Sequence, residues 1–259
     1  MKSPLRDNLN FKSLRVVKEL IPPKSRVDSF LFYSGAMEFN LAEAGSFVVA
    51  HTNCFFIYEF WQCALEDPLL IAEEARHYFK LLKDDSCFAG DKFFMAMQEN
   101  WAKQRGSYTR SAHFFLLNRC SESALISSGK LNTRPFNSLA LSNLKSFSAK
   151  NFHVQFDRQD NFVETLKTAA DSDCLLLPVG RYNYNLLEHG RSAGAETTVV
   201  HHQKLYENLR EQKKSWIVLY KNHSDVFNLY KDYNIIMVDK YGRKTNRKDK
   251  CEDIVIANF

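Results

Sequence analysis

Apolar positions at helical spacing run from Leu14 to Ile21 and stop at Pro22-Pro23, which predicts a short helix ended by proline. Val27 to Phe32 has the length and the β-branched and aromatic content of a buried strand. Ser34-Gly35 then opens a helix over Ala36 to Ala44 that Gly45 ends, and Ser46 to Ala50 reads as a second buried strand. Residues 27–50 therefore predict a β-α-β unit with parallel pairing and a right-handed crossover, the start of a doubly wound sheet.

From Cys54 to about Ser148 the period changes to helical segments rich in Phe, Lys and Ser, including Pro68 to Leu82 and Asp91 to Lys103. This predicts an inserted helical region, in which Ser123 to Ser148 is polar enough to hold a mobile loop. Strand patterns resume at His153–Phe156, Cys174–Leu177, Trp216–Tyr220, Ile235–Val238 and Asp253–Ala257. Helices are expected between them at Asn161–Ala170 and Val199–Gln212, which restores the alternation of strand and helix.

Composition adds bounds. A chain of 259 residues that is 45% hydrophobic and 14% aromatic can bury a sizeable core. No apolar run reaches the roughly 18 residues that span a bilayer, and the polar opening Met1 to Arg6 lacks the pattern of a secretory signal, so a soluble, intracellular protein is expected. The cysteines at 54, 63, 87, 120, 174 and 251 form no CxxC pair and sit mostly in apolar stretches, which suits reduced, buried thiols and points to no metal. The net charge is +5, and the stretch from Lys240 to Lys250, with six basic residues and Asp249, carries an equal excess. Such a cluster draws phosphate backbones by counterion release, although a solvated loop has the same composition.

In order and spacing these segments resemble the Dam-like DNA adenine-N6 methyltransferases. Asn10 to Leu14 with Leu20-Ile21-Pro22 is similar to the family's Gly-Gly-Lys, helix, Ile-Pro opening, with Lys12 on the lysine and both glycines absent. Tyr33-Ser34-Gly35-Ala36 falls on the end of the Phe-x-Gly-x-Gly cofactor loop, and Ala50-His51-Thr52-Asn53 on the Asn-Asp-x-Asn that closes the second strand. Phe114 to Arg119 resembles the insertion's Phe-Leu-Asn-Arg segment. Further matches are Gln155–Leu166, His202-x-x-Leu205, Trp216–Asn222, Leu229–Tyr233 and the closing Glu252–Phe259. The resemblance implies an α/β, Rossmann-like S-adenosylmethionine-dependent methyltransferase fold with a mostly helical inserted domain. Residues 1–55 and 149–259 would form the α/β domain, and 56–148 the target-recognition-like insertion.

The same alignment puts Leu177-Pro178-Val179-Gly180 where the family carries its catalytic Asp-Pro-Pro-Tyr. There the Asp or Asn side chain and the Pro carbonyl accept hydrogen bonds from the adenine amino group, and the Tyr stacks on the flipped base. Leu177 has no acceptor and Gly180 cannot stack. Tyr33 replaces a loop glycine where the backbone must approach the ligand, His51 replaces an acid at the end of the second strand, and Ser29 replaces one in the first. Lys12, Tyr33, Ser34, Gly35 and His51 thus mark a vestigial cofactor site. An alternative register through Tyr182-Asn183-Tyr184 would supply an aromatic ring and an amide.

These losses lead to an expectation of a pseudo-methyltransferase with no resident cofactor, kept as a nucleic-acid-binding or structural protein. Arg243, Lys244, Arg247 and Lys248 are the expected DNA contacts; in a larger assembly, an apolar patch around Phe30, Tyr33 and Tyr182 would instead be covered by protein. The alternative is an active adenine methyltransferase using S-adenosylmethionine at a diverged site. Two further groupings carry little: His201-His202 beside Glu188-His189 lacks metal-ligand spacing, and Cys120-Ser121 near His113 is a spacing coincidence.

Overall fold

The computed structural model describes residues 2–7, 9–83, 90–127, 129–157, 166, 171–182 and 200–259. Helix α1 (Leu14–Leu20) leads to β1 (Arg26–Ser29), α2 (Ala36–Glu43) and β2 (Phe47–Thr52). Five helices then intervene before the next strand: α3 (Phe55–Glu66), α4 (Pro68–Lys83), α5 (Gly90–Asn100), α6 (Ser107–Cys120) and α7 (Ser138–Lys145). After them come β3 (Phe152–Phe156), β4 (Cys174–Gly180), α8 (His202–Glu211), β5 (Ser215–Lys221), α9 (Ser224–Leu229), β6 (Asn234–Asp239) and β7 (Cys251–Ala257). The expected helix at 161–170 lies outside the described residues, apart from Leu166, which is buried.

Among the described residues seven strands join one sheet in the order β3-β2-β1-β4-β5-β7-β6, parallel except for β7, which runs antiparallel to both of its neighbours. This is a Rossmann-like α/β fold, with the order reversing between β1 and β4. Ligands of open α/β sheets bind beyond the carboxyl ends of strands at such a reversal. The central strands are buried on both faces, which explains their unbroken apolar runs. One face packs Val17, Leu41, Leu176 and Ile217; the other packs Leu177, Leu205, Trp216 and Tyr230. The intervening helices form a third, aromatic-rich cluster that reaches the sheet through Phe39, Trp61 and Phe152.

Several boundaries differ from the pattern along the chain. Strand β1 ends at Ser29 rather than Phe32, because Leu31 takes the left-handed conformation (φ +61°) and interrupts the ladder. Strand β4 continues through Leu177-Pro178-Val179 to Gly180, with a register shift against β5 between Pro178 and Gly180. The polar stretch 123–148 contains α7, whose first turn is capped by the Asn137 side chain accepting from the Ala140 N–H at 2.9 Å. Five cysteines are free and buried, while Cys87 lies outside the described residues. Among the described residues no helix is long and apolar enough to cross a membrane.

Candidate functional site at the carboxyl edge of the sheet

A cavity of about 440 Å³ lies beyond the carboxyl ends of β1 and β4, walled by the N-terminal segment, the β1–α2 loop, Glu38 and Pro178. The segment is tied down from several sides. Ser3 Oγ donates to the Ser34 carbonyl, Arg119 Nη2 to the Pro4 carbonyl, and Arg6 Nη1 to the Ser121 carbonyl at 2.8 Å. Asn118, wholly buried on α6, accepts from the Arg6 N–H at 2.7 Å and donates to the Arg6 carbonyl at 3.2 Å and to the Tyr33 hydroxyl at 3.0 Å. Tyr33 therefore does not fill the cavity. Its ring meets Phe114 edge-on and lines one wall, and its carbonyl accepts from Trp61 Nε1 at 2.7 Å. Burial pushes the Tyr33 phenol well above its ordinary value, so it stays a neutral hydrogen-bonding group.

Gly35 is required here twice over. It starts α2 at φ +71°, and an added Cβ would lie 2.2 Å from Phe39 Cε2. The space that it leaves is filled by Phe39, a ring packed against Phe32, Trp61, Phe147 and Phe152. Ser34 is buried and lines the cavity. Lys12 does not line it: the Lys12 and Ser13 N–H groups both donate to Asp253 Oδ2, whose other oxygen accepts from Lys221 Nζ at 2.7 Å.

The position of the lost acid in β1 is not simply empty of charge. Ser29 Oγ donates to Glu38 Oε1 at 2.7 Å, so a carboxyl group from the first turn of α2 reaches the same strand end. Burial pushes the Glu38 pKa up, against the hydrogen bond from Ser29, and only its contact with the cavity offers water or a ligand. No motif marked Glu38 in the sequence.

His51 is a strand residue, six per cent exposed, held between two carboxylates. Its Nδ1 lies 3.1 Å from Asp157 Oδ2 and its Nε2 lies 3.4 Å from Asp28 Oδ1, while its ring stacks on Phe30 at 4.5 Å. Burial alone would lower its pKa, but the bonds to Asp157 and Asp28 outweigh this and raise it to about 8. Both ring nitrogens donate, so no lone pair is left for general-base chemistry. An acid inside a buried strand demands a partner, and Asp28 was the signal that could have found this cluster.

At the end of β4, Leu177 and Val179 are fully buried in the apolar cluster on one face, and Pro178 alone turns to the cavity. The segment presents no side-chain acceptor, and Gly180 (φ +87°) closes the strand without a ring. Tyr182 stacks on His202 at 4.3 Å and on His223 at 4.8 Å, while His202 also bonds the Tyr182 carbonyl at 2.7 Å and the Tyr220 hydroxyl at 2.9 Å. Its ring is thus engaged by two imidazoles. Asn183, Tyr184, Glu188 and His189 lie outside the described residues. Phe30, Tyr33 and Tyr182 do not form one apolar surface, because Phe30 is buried on His51, Tyr33 turns to α6 and Tyr182 packs on histidines.

Other candidates are inert on the same physical grounds. Burial pushes the Cys120 thiol up to about 12 and pulls His113 down to about 4, so neither a thiolate nor an imidazolium forms near neutrality. Among the described residues no group of three or more His, Cys, Asp or Glu could hold a metal ion. The basic stretch links β6 to β7 and is exposed, but its charges are partly answered. Lys244 pairs with Glu19 at 3.1 Å, Arg247 with Asp249 at 2.6 Å, Lys248 lies over Phe227 at 5.0 Å, and Arg243 lies over Tyr241 at 6.0 Å.

No protein-family model matches the chain, and no curated protein matches it. Among solved structures it is similar to the crystal structure of a SAM-dependent methyltransferase from Neisseria gonorrhoeae, at 10% identity and a TM-score of 0.31 over 96% of this chain. The chain spans 64% of the length of that protein. S-adenosylmethionine is the cofactor that the sequence resemblance implies, with an acid expected at the end of the second strand. The acid expected at position 51 is an imidazolium, and the carboxylates of Asp28 and Asp157 are both turned onto it.

Proposed function

We propose that this protein is a divergent Dam-like member of the methyltransferase fold that binds rather than methylates. On this reading, residues 1–55 and 149–259 form its α/β domain and 56–148 a target-recognition-like insertion, with no resident cofactor. The observation that carries it is the end of β4: Leu177 and Val179 are packed into the core where an amide or carboxylate acceptor is needed to position an adenine amino group. Without that acceptor, a flipped base would lose the contacts that offset the few kcal/mol of its extrusion. Incubation with duplex DNA and radiolabelled S-adenosylmethionine should leave the DNA unmethylated, and calorimetric titration with the cofactor should show no micromolar binding. Micromolar binding or methylated adenine overturns the reading.

The cavity itself favours a second reading, because its walls of Ser34, Gly35, Glu38 and Pro178 leave space for a small ligand. In that case the protein is an active S-adenosylmethionine-dependent adenine methyltransferase with a diverged site. Methyl transfer to duplex DNA that is abolished by Asn183→Ala would support it.

A further inference from the structure

Between β6 and β7 the chain turns back on itself in a tight tip at residues 239–243. Asp239 Oδ1 accepts from the Tyr241 N–H at 2.8 Å and from the Arg243 N–H at 2.9 Å, and the Asp239 N–H donates to the Arg243 carbonyl at 2.9 Å. Gly242 sits at φ +78°, where an added Cβ would lie 2.8 Å from the Lys12 carbonyl oxygen, so the tip is also braced against the segment that precedes α1. Tyr241 is left at the surface: at 72% exposure it is the most exposed large hydrophobic residue among the described residues. Lys240 Nζ lies 5.0 Å and the Arg243 guanidinium carbon 6.0 Å from its ring centroid. From Asp239 to Lys250 six basic residues stand against Asp239 and Asp249, and Lys244 also meets Glu19 of α1 at 3.1 Å, which leaves an excess of three positive charges.

We propose that this tip docks the protein on an anionic membrane surface, with the Tyr241 ring at headgroup level and the surrounding cations on lipid phosphates and carboxylates. Charge complementarity is the first argument. A leaflet rich in anionic lipid attracts each basic side chain held near it by about fivefold in affinity. The second argument is the arrangement of polarity. A membrane is layered, its charged plane lying above an apolar one, and tyrosine is enriched at that boundary because its ring is apolar and its hydroxyl is wet. Lys240 and Arg243 flank the ring, so their charged heads stay among the headgroups while their stems lie along it. A duplex is the poorer fit. Each of its strands offers a line of phosphates every ~3.4 Å of axis, whereas these cations gather about one exposed ring, and Arg247 is held by Asp249 at 2.6 Å and Lys244 by Glu19. Rigidity is the third argument: the turn is fixed by its own hydrogen bonds, so docking orders little backbone.

The test is co-sedimentation of the full chain with vesicles of phosphatidylcholine alone and of phosphatidylcholine and phosphatidylserine in equal parts. Three excess charges at about fivefold each give roughly 100-fold tighter binding to the anionic vesicles. Lys240→Gln together with Arg243→Gln should lower that preference by about 25-fold. Tyr241→Ser should weaken binding without changing its dependence on salt, because it removes ring area and no charge. Trp61, Trp101 and Trp216 are fully buried, so in Tyr241→Trp the exposed indole reports on the tip. Its emission should move to the blue on anionic vesicles and be quenched by brominated acyl chains. Absence of binding, equal binding to both kinds of vesicle, or an indole that neither shifts nor is quenched on bound vesicles overturns the proposal. So does a labelled DNA duplex that binds more tightly than the anionic vesicles and displaces them through Lys240 and Arg243.

Discussion

The imidazolium at His51 makes a direct prediction about stability and pH. In the folded chain its pKa is about 8, against 6.5 for an unperturbed histidine. At ~1.36 kcal/mol per unit, a rise of about 1.5 units corresponds to roughly 2 kcal/mol. The group is buried, so solvent screening removes little of this. Because the folded state holds the proton more tightly, that stability is fully present below pH ~6.5 and is lost as pH rises through 8. In a chain of this size, 2 kcal/mol is a fall in Tm of about 4 to 8 °C.

The double variant Asp28→Asn, Asp157→Asn isolates the effect. It keeps hydrogen-bonding groups around the ring, but burial then leaves the imidazole neutral and removes the linkage across this window. Other perturbed groups act elsewhere. His113 and His202, both lowered by burial, add stability as pH rises to ~6.5, and the buried thiols of Cys120 and Cys174, held up near 12, matter only above ~8.5. They also cancel when wild type and variant are compared. The assay is urea unfolding at steps between pH 6.5 and 8.5. A difference between the two proteins that stays constant or grows with pH refutes the argument, as does an His51 resonance titrating below 6.5.

Three further outcomes follow from the same geometry. Gly35→Ala should cost at least ~2 kcal/mol by thermal melting, from the left-handed backbone together with the 2.2 Å approach to Phe39; an unchanged Tm would show that the loop relaxes. Asn118→Leu removes the acceptor of the buried Arg6 N–H and the donor to the Arg6 carbonyl and should cost about 3 kcal/mol, with faster proteolysis of the N-terminal segment as a second readout. Leu177→Asp should lower stability by several kcal/mol and yield no methylated adenine, since it places a carboxylate among Phe30, Val218 and Tyr220; methylation by this variant would contradict it.

The sheet was legible because its central strands are apolar on both faces and alternate with helices, a pattern that local sequence carries by itself. The exceptions have local causes. Leu31 ends β1 early by adopting a conformation rare for leucine, whereas β4 runs on because Leu177 and Val179 have a core to enter. Helix α9 has only six residues and no apolar period, and its first turn is held by His223 Nδ1 accepting from the Asp225 N–H at 3.3 Å. The site was less legible, since its decisive contacts join distant segments. Lys12 and Asp253 meet across 241 positions and His51 and Asp157 across 106, and no periodicity records either pairing. Asp28 was readable in principle, because an acid in a buried strand has to find a donor. Glu38 was not, because its bond to Ser29 depends on how α2 packs against β1.

At the carboxyl edge of this sheet the polar groups are spent on one another. Ser29 takes Glu38, His51 takes both Asp28 and Asp157, and His202 takes the Tyr182 carbonyl and the Tyr220 hydroxyl. Such groups cannot be lent to a ligand without leaving a buried partner unpaired, at about 1 to 3 kcal/mol for a neutral group and more for a charged one. On the reading proposed above, adenine chemistry at this edge would require both a new acceptor at the end of β4 and the release of these internal pairs. The turn between β6 and β7 stands in the opposite condition: Tyr241 is exposed at its tip, and Lys240 and Arg243 lie beside the ring at the surface. The capacity proposed for meeting a partner thus lies at that tip and not at the strand ends, where the chain satisfies itself.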